Sequence, residues 1–247
     1  MEEMTSKSRF RFRCHAGLPC FTKCCRDVNI FLTPYDVLRL KQRLGLSSGG
    51  FLHRHTIPLL AGHSGLPMVV LKMGDDPGKR CPFVGPDGCA VYDDRPWSCR
   101  MYPLDRKDLG DSFGVIADPR FCLGLGEESD QSVEEYLSSQ GVPPYEEMER
   151  LLRRISEAPR LSAERIRNPK VQEMCRMALY DLDRFRRFVL ESRFLQLFYV
   201  EKEVADKIPY DDVELMRLAF RWLEFGLVSG ETMRIRQDVI EGRGNGQ

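Results

Sequence analysis

Eight of the nine cysteines in this 247-residue chain fall between Cys14 and Cys122. No other feature restricts the fold as strongly, because a stretch this rich in thiols must cross-link them, bury them or hand them to a metal. Cys14, Cys20, Cys24 and Cys25 form a first group and Cys81, Cys89, Cys99 and Cys122 a second, while Cys175 stands apart. An odd total suits disulfide pairing poorly, and Met1-Glu2-Glu3-Met4 carries acids where an export signal needs bases. The expectation is a cytoplasmic protein, in a compartment that keeps thiols reduced, which favours metal ligation over disulfides. No run approaches the roughly 18 apolar residues of a membrane span. Basic and acidic side chains number 37 each, so no net field attracts nucleic acid, and a protein partner is the class left open.

Taken in order, the chain reads as α+β. Residues 1–9 look disordered, and Phe10-Arg11-Phe12-Arg13 alternates like an extended segment. Gly17 and Pro19 bend the first cysteine group into a ligand loop. Thr33, Pro34 and Asp36 are a helix cap, first-turn proline and first-turn acid, and Gly45 suits the helix end. Ser47 or Ser48 starts a short helix through Phe51 and Leu52, and Met68 to Leu71 reads as a buried strand. Gly85-Pro86-Asp87-Gly88 is turn chemistry, which predicts a hairpin with Cys81 and Cys89 on adjacent strands. Residues 93–103 read as a loop holding Cys99, and 113–116 as a further strand.

Near Gly124 cysteine stops and amphipathic patterns begin. Helical spacing covers 132–137, 145–155, 169–200 and 211–228, and Val171, Cys175, Ala178, Leu182, Phe185 and Val189 make one apolar face. Residues 242–247 read as a loose tail. The domain expectation is a loop-rich metal-binding domain at 10–125 and a helical region at 126–241, packed on the first.

Thiolates are the ligands of choice for zinc and iron–sulfur clusters, and each centre takes four protein ligands. Eight sulfurs suit two tetrahedral centres, or one cluster with thiols left over, and either would tie two remote segments together. The vicinal Cys24-Cys25 pair favours two centres or a polynuclear cluster, since successive side chains of an extended strand point apart. No Cys-x-x-Cys occurs, and neither ferredoxin spacing is present. Arg26, Arg80, Arg95 and Arg100 adjoin cysteines and are either donors to sulfur or solvated surface cations. His15, His53, His55 and His63 read as ordinary histidines, because cysteine already fills the coordination, and Cys175 reads as a core residue. No set of side chains for general acid–base or nucleophilic catalysis stands out, so whether the protein is an enzyme stays open.

The first group ending in Cys24-Cys25, the Leu32-Thr33-Pro34-Tyr35-Asp36 run, Cys81-Pro82-Phe83, Cys89-Ala90-Val91-Tyr92, and Arg95-Pro96 leading to Cys99-Arg100 and Tyr102-Pro103 carry a family resemblance. The sequence resembles bacterial cysteine-cluster proteins of the YkgJ type, zinc- or iron-chelating domains named for a CxxCxxCC motif, over residues 14–122. Its first group is spaced five, three and zero instead of two, two and zero. The resemblance implies metal chelation by Cys20, Cys24, Cys25, Cys81, Cys89 and Cys99, with Cys14 and Cys122 added on the sulfur clustering. A relative, flagellin lysine N-methylase, looks similar over the same motif and is associated with an iron–sulfur cluster. Three functions follow: an iron–sulfur protein with a redox or modification role, a zinc-stabilised interaction module, and a protein-lysine N-methyltransferase.

Overall fold

The computed structural model describes residues 3–107 and 110–236, so the predicted tail at 242–247 lies outside the described residues. The architecture is α+β: short strands and turns gather toward the N-terminal half, and helices make up most of the rest. Two compact units each draw on two stretches of chain, Met1–Arg43 with Val70–Glu147, and Leu44–Val69 with Met148–Gln247.

The first unit is built by backbone stitching. Arg9–Arg11 pairs antiparallel with Asp130–Ser132, and Leu104–Arg106 pairs with Phe113–Val115. Residues 3–9, expected to be disordered, are held instead. Met4 bridges Phe113, and the Ser6 N–H donates to Asp111 at 2.9 Å. Alternation along the first strand turns Phe10 and Phe12 inward, where both meet the Tyr136 ring edge-on at 5.3 and 5.7 Å. Met101, Leu104, Phe113, Val133, Leu137 and Val142 complete that core, and Cys122 and Trp97 pack against it.

The helix Pro34–Arg43 starts as its cap chemistry requires. Thr33 Oγ1 accepts the Asp36 N–H at 3.1 Å, and Asp36 Oδ2 accepts the Thr33 N–H at 2.7 Å. It ends before Gly45, whose φ of 62° is the left-handed conformation that glycine adopts without strain.

The second unit centres on the Asp212–Leu227 helix, capped by Asp211, whose carboxylate accepts from Val213 and Glu214. Leu215, Met216, Leu218, Ala219, Phe220, Trp222 and Leu223 are all buried, so this helix is covered nearly all round. The apolar pattern over 169–200 is not one helix but three: Pro169–Tyr180, Leu182–Glu191 and Phe194–Leu197. Asp181 leaves helical geometry and uses its carboxylate to accept the Arg184 N–H, and that local bond is the competitor that breaks a continuous helix. Cys175 is buried on the apolar face as expected, and burial pushes its thiol up to about 12. Asp183 and Ser48 exchange hydrogen bonds, which fastens the Ser48–His55 helix to Leu182–Glu191.

Candidate metal centre

All eight clustered cysteines lie in the first unit, and none of the nine forms a disulfide. Two backbone contacts bring the remote groups together. The Cys81 N–H donates to the Cys25 carbonyl at 2.9 Å, beside an Arg26–Arg80 bridge, so the end of the first loop lies along the start of the second group. The Arg13 N–H donates to the Gly124 carbonyl at 3.0 Å, which places Cys14 beside Cys122. A third contact is steric. Gly88 has φ of 111° in the hairpin turn, and a Cβ there would stand 3.1 Å from the Phe21 ring of the first loop.

The first loop is not extended at its end. Lys23–Cys25 is a single 3-10 turn, closed by Cys20 and Thr22 carbonyls, and it turns the vicinal sulfurs toward each other at 3.9 Å. Sulfurs on a tetrahedral ion with bonds of ~2.3 Å stand about 3.8 Å apart. The argument that neighbouring side chains point apart holds for a strand and fails here, because a 3-10 turn rotates each residue by roughly 120°. The second group also differs from expectation. Cys89 pairs with Val84 on a two-residue strand, whereas Cys81 precedes that hairpin in a turn closed by the Val84 N–H. Cys99 sits on a short helix, Trp97–Met101, and not in a loop.

Charge at the sulfurs is governed by burial and by one another. Burial pushes Cys99 up to about 12, reinforced by Cys81, Asp36, Cys89 and Cys24. Burial likewise lifts Cys14 to about 11, with Cys24, Cys20 and Cys122 adding to it. Within the vicinal pair, the contact between the two sulfurs lowers Cys24 to about 7 and drives Cys25 upward. Burial raises Cys81 and Cys89, and the N–H two residues on, Phe83 and Val91 respectively, opposes this by bonding to the sulfur. Such N–H···S bonds stabilise thiolate and orient it. The positive charge of Arg95 also favours thiolate at Cys89.

Among the described residues no three His, Cys, Asp or Glu side chains are already drawn together tightly enough to hold an ion. The donor chemistry nevertheless fits one. Cys14, Cys25 and Cys99 are each pushed up by burial and by neighbouring cysteines, so a cation is needed to hold them as thiolates, and a coordinating metal deprotonates a thiol outright. Two buried donors on the helix that carries Cys99, Trp97 Nε1 and Ser98 Oγ, have no hydrogen-bond partner.

Of the four arginines, Arg26 and Arg80 are exposed, as the surface reading has it, while Arg95 and Arg100 bond mainly to the chain around Cys99. Arg100 is buried and donates to the carbonyls of Arg95, Gln140 and Asp93 at 2.9, 2.6 and 2.5 Å, with its guanidinium over the Tyr145 ring. Arg95 donates to the Tyr92 carbonyl and to Gln140 Oε1. Both brace the loop around Cys99. His15 meets Glu127 at 3.2 Å, and His53, His55 and His63 belong to the other unit.

Sequence reasoning missed the residue that aims Cys99. Asp36 is fully buried and, besides capping its own helix, accepts the Trp97 N–H at 2.7 Å through Oδ1. Arg39 and Asp94 make a second clasp between the same segments, at 2.9 Å. The capping pattern at Thr33 and Asp36 was the available signal, but nothing in it tells of a second acceptance sixty residues away.

Residues 13–122 are matched by the model of a family described as "CxxCxxCC: Putative zinc- or iron-chelating domain". Over this stretch the chain is similar to the CxxCxxCC family. Every cysteine of both groups falls inside the CxxCxxCC match, and Cys175 falls outside it. No curated protein and no solved structure matches the chain. Metal chelation is therefore the function that the CxxCxxCC stretch supports. No helix among the described residues is long and apolar enough to cross a membrane.

Proposed function

We propose that this protein binds iron through the thiolates of its CxxCxxCC stretch, as iron–sulfur chemistry, in a redox or modification role. The observation that supports this is the vicinal pair Cys24 and Cys25, whose sulfurs stand 3.9 Å apart in a turn whose last residue accepts the Cys81 N–H at 2.9 Å. Thiolates this crowded suit an inorganic core shared among many sulfurs, as iron–sulfur centres are. The residues that would hold it are Cys14, Cys20, Cys24, Cys25, Cys81, Cys89, Cys99 and Cys122. When bound, the metal supplies electron transfer or Lewis acidity, and the chain supplies thiolates, N–H donors to sulfur and the Asp36 clasp. On this reading 10–125 is the metal-binding domain and 126–241 a helical region serving it.

A second reading, a zinc-stabilised interaction module, is favoured by the paired turns at Cys81 and Cys89. Their N–H···S bonds suit a closed tetrathiolate site. The lysine-methyltransferase alternative rests on the resemblance alone. Anaerobic purification with metal and acid-labile sulfide analysis separates these readings. Iron with sulfide and a brown charge-transfer spectrum is expected. Colourless protein carrying zinc gives the second reading, and protein that takes up neither metal removes chelation altogether.

A further inference from the structure

The vicinal pair is arranged for a reaction as well as for ligation. Cys24 and Cys25 carry free thiols whose sulfurs stand 3.9 Å apart, with Cys24 exposed and Cys25 half-buried. Among the described residues no other two sulfurs are in such contact. Backbone bonds place them. The Lys23 and Cys25 N–H groups donate to the Cys20 and Thr22 carbonyls at 3.0 and 3.1 Å, which closes the turn. On its far side the Cys25 carbonyl accepts the Cys81 N–H at 2.9 Å and the Asp27 N–H donates to the Lys79 carbonyl at 3.1 Å. Lys79 Nζ also reaches the Asp27 carboxylate at 2.8 Å. The peptide between the two cysteines is therefore pinned on both sides, and rotation of the two side chains sets the gap between their sulfurs. A disulfide bond is ~2.0 Å long, so a shift of about 1 Å by each sulfur closes it.

We propose that Cys24 and Cys25 are an oxidation site for hydrogen peroxide, at which the metal-free chain closes a reversible disulfide between adjacent residues. The exposed Cys24 sulfur attacks one peroxide oxygen, the O–O bond breaks, and the Cys24 proton leaves with the other oxygen as water. The Cys25 sulfur then displaces the hydroxyl of the resulting sulfenic acid, and that hydroxyl departs with the Cys25 proton as a second water. Two electrons pass from the sulfurs to the peroxide. Adjacent Cα atoms lie about 3.8 Å apart, below the roughly 4.4 Å at which the usual disulfide range begins, so the product is strained and a dithiol reduces it readily. The consequence for chelation rests on the reading that these cysteines hold metal: an oxidised pair has no thiolate to offer, so peroxide shuts the site and a reductant reopens it.

The test uses the full chain, stripped of metal under reducing conditions, freed of reductant and treated with hydrogen peroxide. Iodoacetamide then caps the remaining thiols before digestion with trypsin, which cuts after Lys23 and Arg26 and releases the pair as Cys24-Cys25-Arg26. The tripeptide is expected uncapped and lighter by two hydrogens than its dithiol form, and it is expected to take two caps when dithiothreitol precedes capping. A tripeptide that carries two caps after peroxide, that is joined to a peptide holding another cysteine, or that has gained sulfinic oxygens overturns the proposal. Iron and zinc uptake by the reduced and oxidised chains is measured alongside. The oxidised chain is expected to bind less, with dithiothreitol restoring the difference, and equal uptake overturns the control of chelation. A reduced chain that binds no metal is a separate failure, since it removes the chelation reading while the tripeptide still decides the disulfide.

Discussion

Single residues here do more than ligate. Asp36 is a buried carboxylate that accepts two backbone N–H groups, one from its own helix cap, Thr33, and one from a remote segment, Trp97. Hydrogen bonds to a charged group contribute about 1.5–3 kcal/mol each, and truncation leaves both donors without an acceptor. Asp36→Ala is therefore expected to destabilise the protein by about 2–4 kcal/mol, read from the urea midpoint. A loss under about 1 kcal/mol would show that Asp36 is not the clasp. Glu149 is a contrasting case in the other unit. Burial raises its pKa above the ordinary 4.5, and Arg153 at 3.3 Å opposes but does not cancel this. The folded state thus holds the Glu149 proton more tightly than the unfolded state does. Stability from this group is present below pH 4.5 and falls as pH rises toward the raised folded value. Glu149→Gln is expected to gain stability relative to the unaltered protein as pH passes from 4 to 7. Thermal melts of both proteins across that range check this, and a pH-independent difference would contradict it.

Among the elements, the two-residue strands around Gly85 to Gly88 matter out of proportion to their length. They are too short to be stable alone, so their geometry depends on the turn and on what packs against it. Gly88 serves both needs, with φ of 111° and the Phe21 ring so close that a Cβ would stand 3.1 Å from it. Gly88→Ala is expected to cost about 1–3 kcal/mol of backbone strain and steric displacement. Because Phe21 follows Cys20 and Gly88 precedes Cys89, metal uptake should weaken in the same variant. Elemental analysis beside a melt tests the pair, and a variant with unaltered metal content and midpoint would place no demand on this contact. The 3-10 turn at Lys23–Cys25 is a second small element with a large effect, since an extended segment would have separated the sulfurs it brings together.

At the level of the whole molecule, metal should matter unequally to the two units. The first unit has short strands, a core assembled from scattered segments and eight free thiols; the second has capped helices around Trp222. Stripping metal under reducing conditions is expected to lower the first unit's stability and leave most far-ultraviolet helix signal in place. Hydrogen exchange resolved by segment measures this, and equal loss of protection in both units would refute it. Local chemistry was legible in the sequence: the cap at Thr33, the turn at 85–88, the apolar face through Cys175 and Phe185, and the grouping of cysteines. Each depends on neighbours within a few residues, and such preferences act wherever the chain goes. What only the tertiary structure decided is which cysteine-bearing segments meet, because Arg13 reaches Gly124, Cys81 reaches Cys25 and Asp36 reaches Trp97 across loops of roughly fifty to a hundred residues. Such pairings are chosen by backbone hydrogen bonds and core packing that no local pattern encodes, so the sequence alone determined the presence of clustered thiols and the fold determined which of their segments lie together.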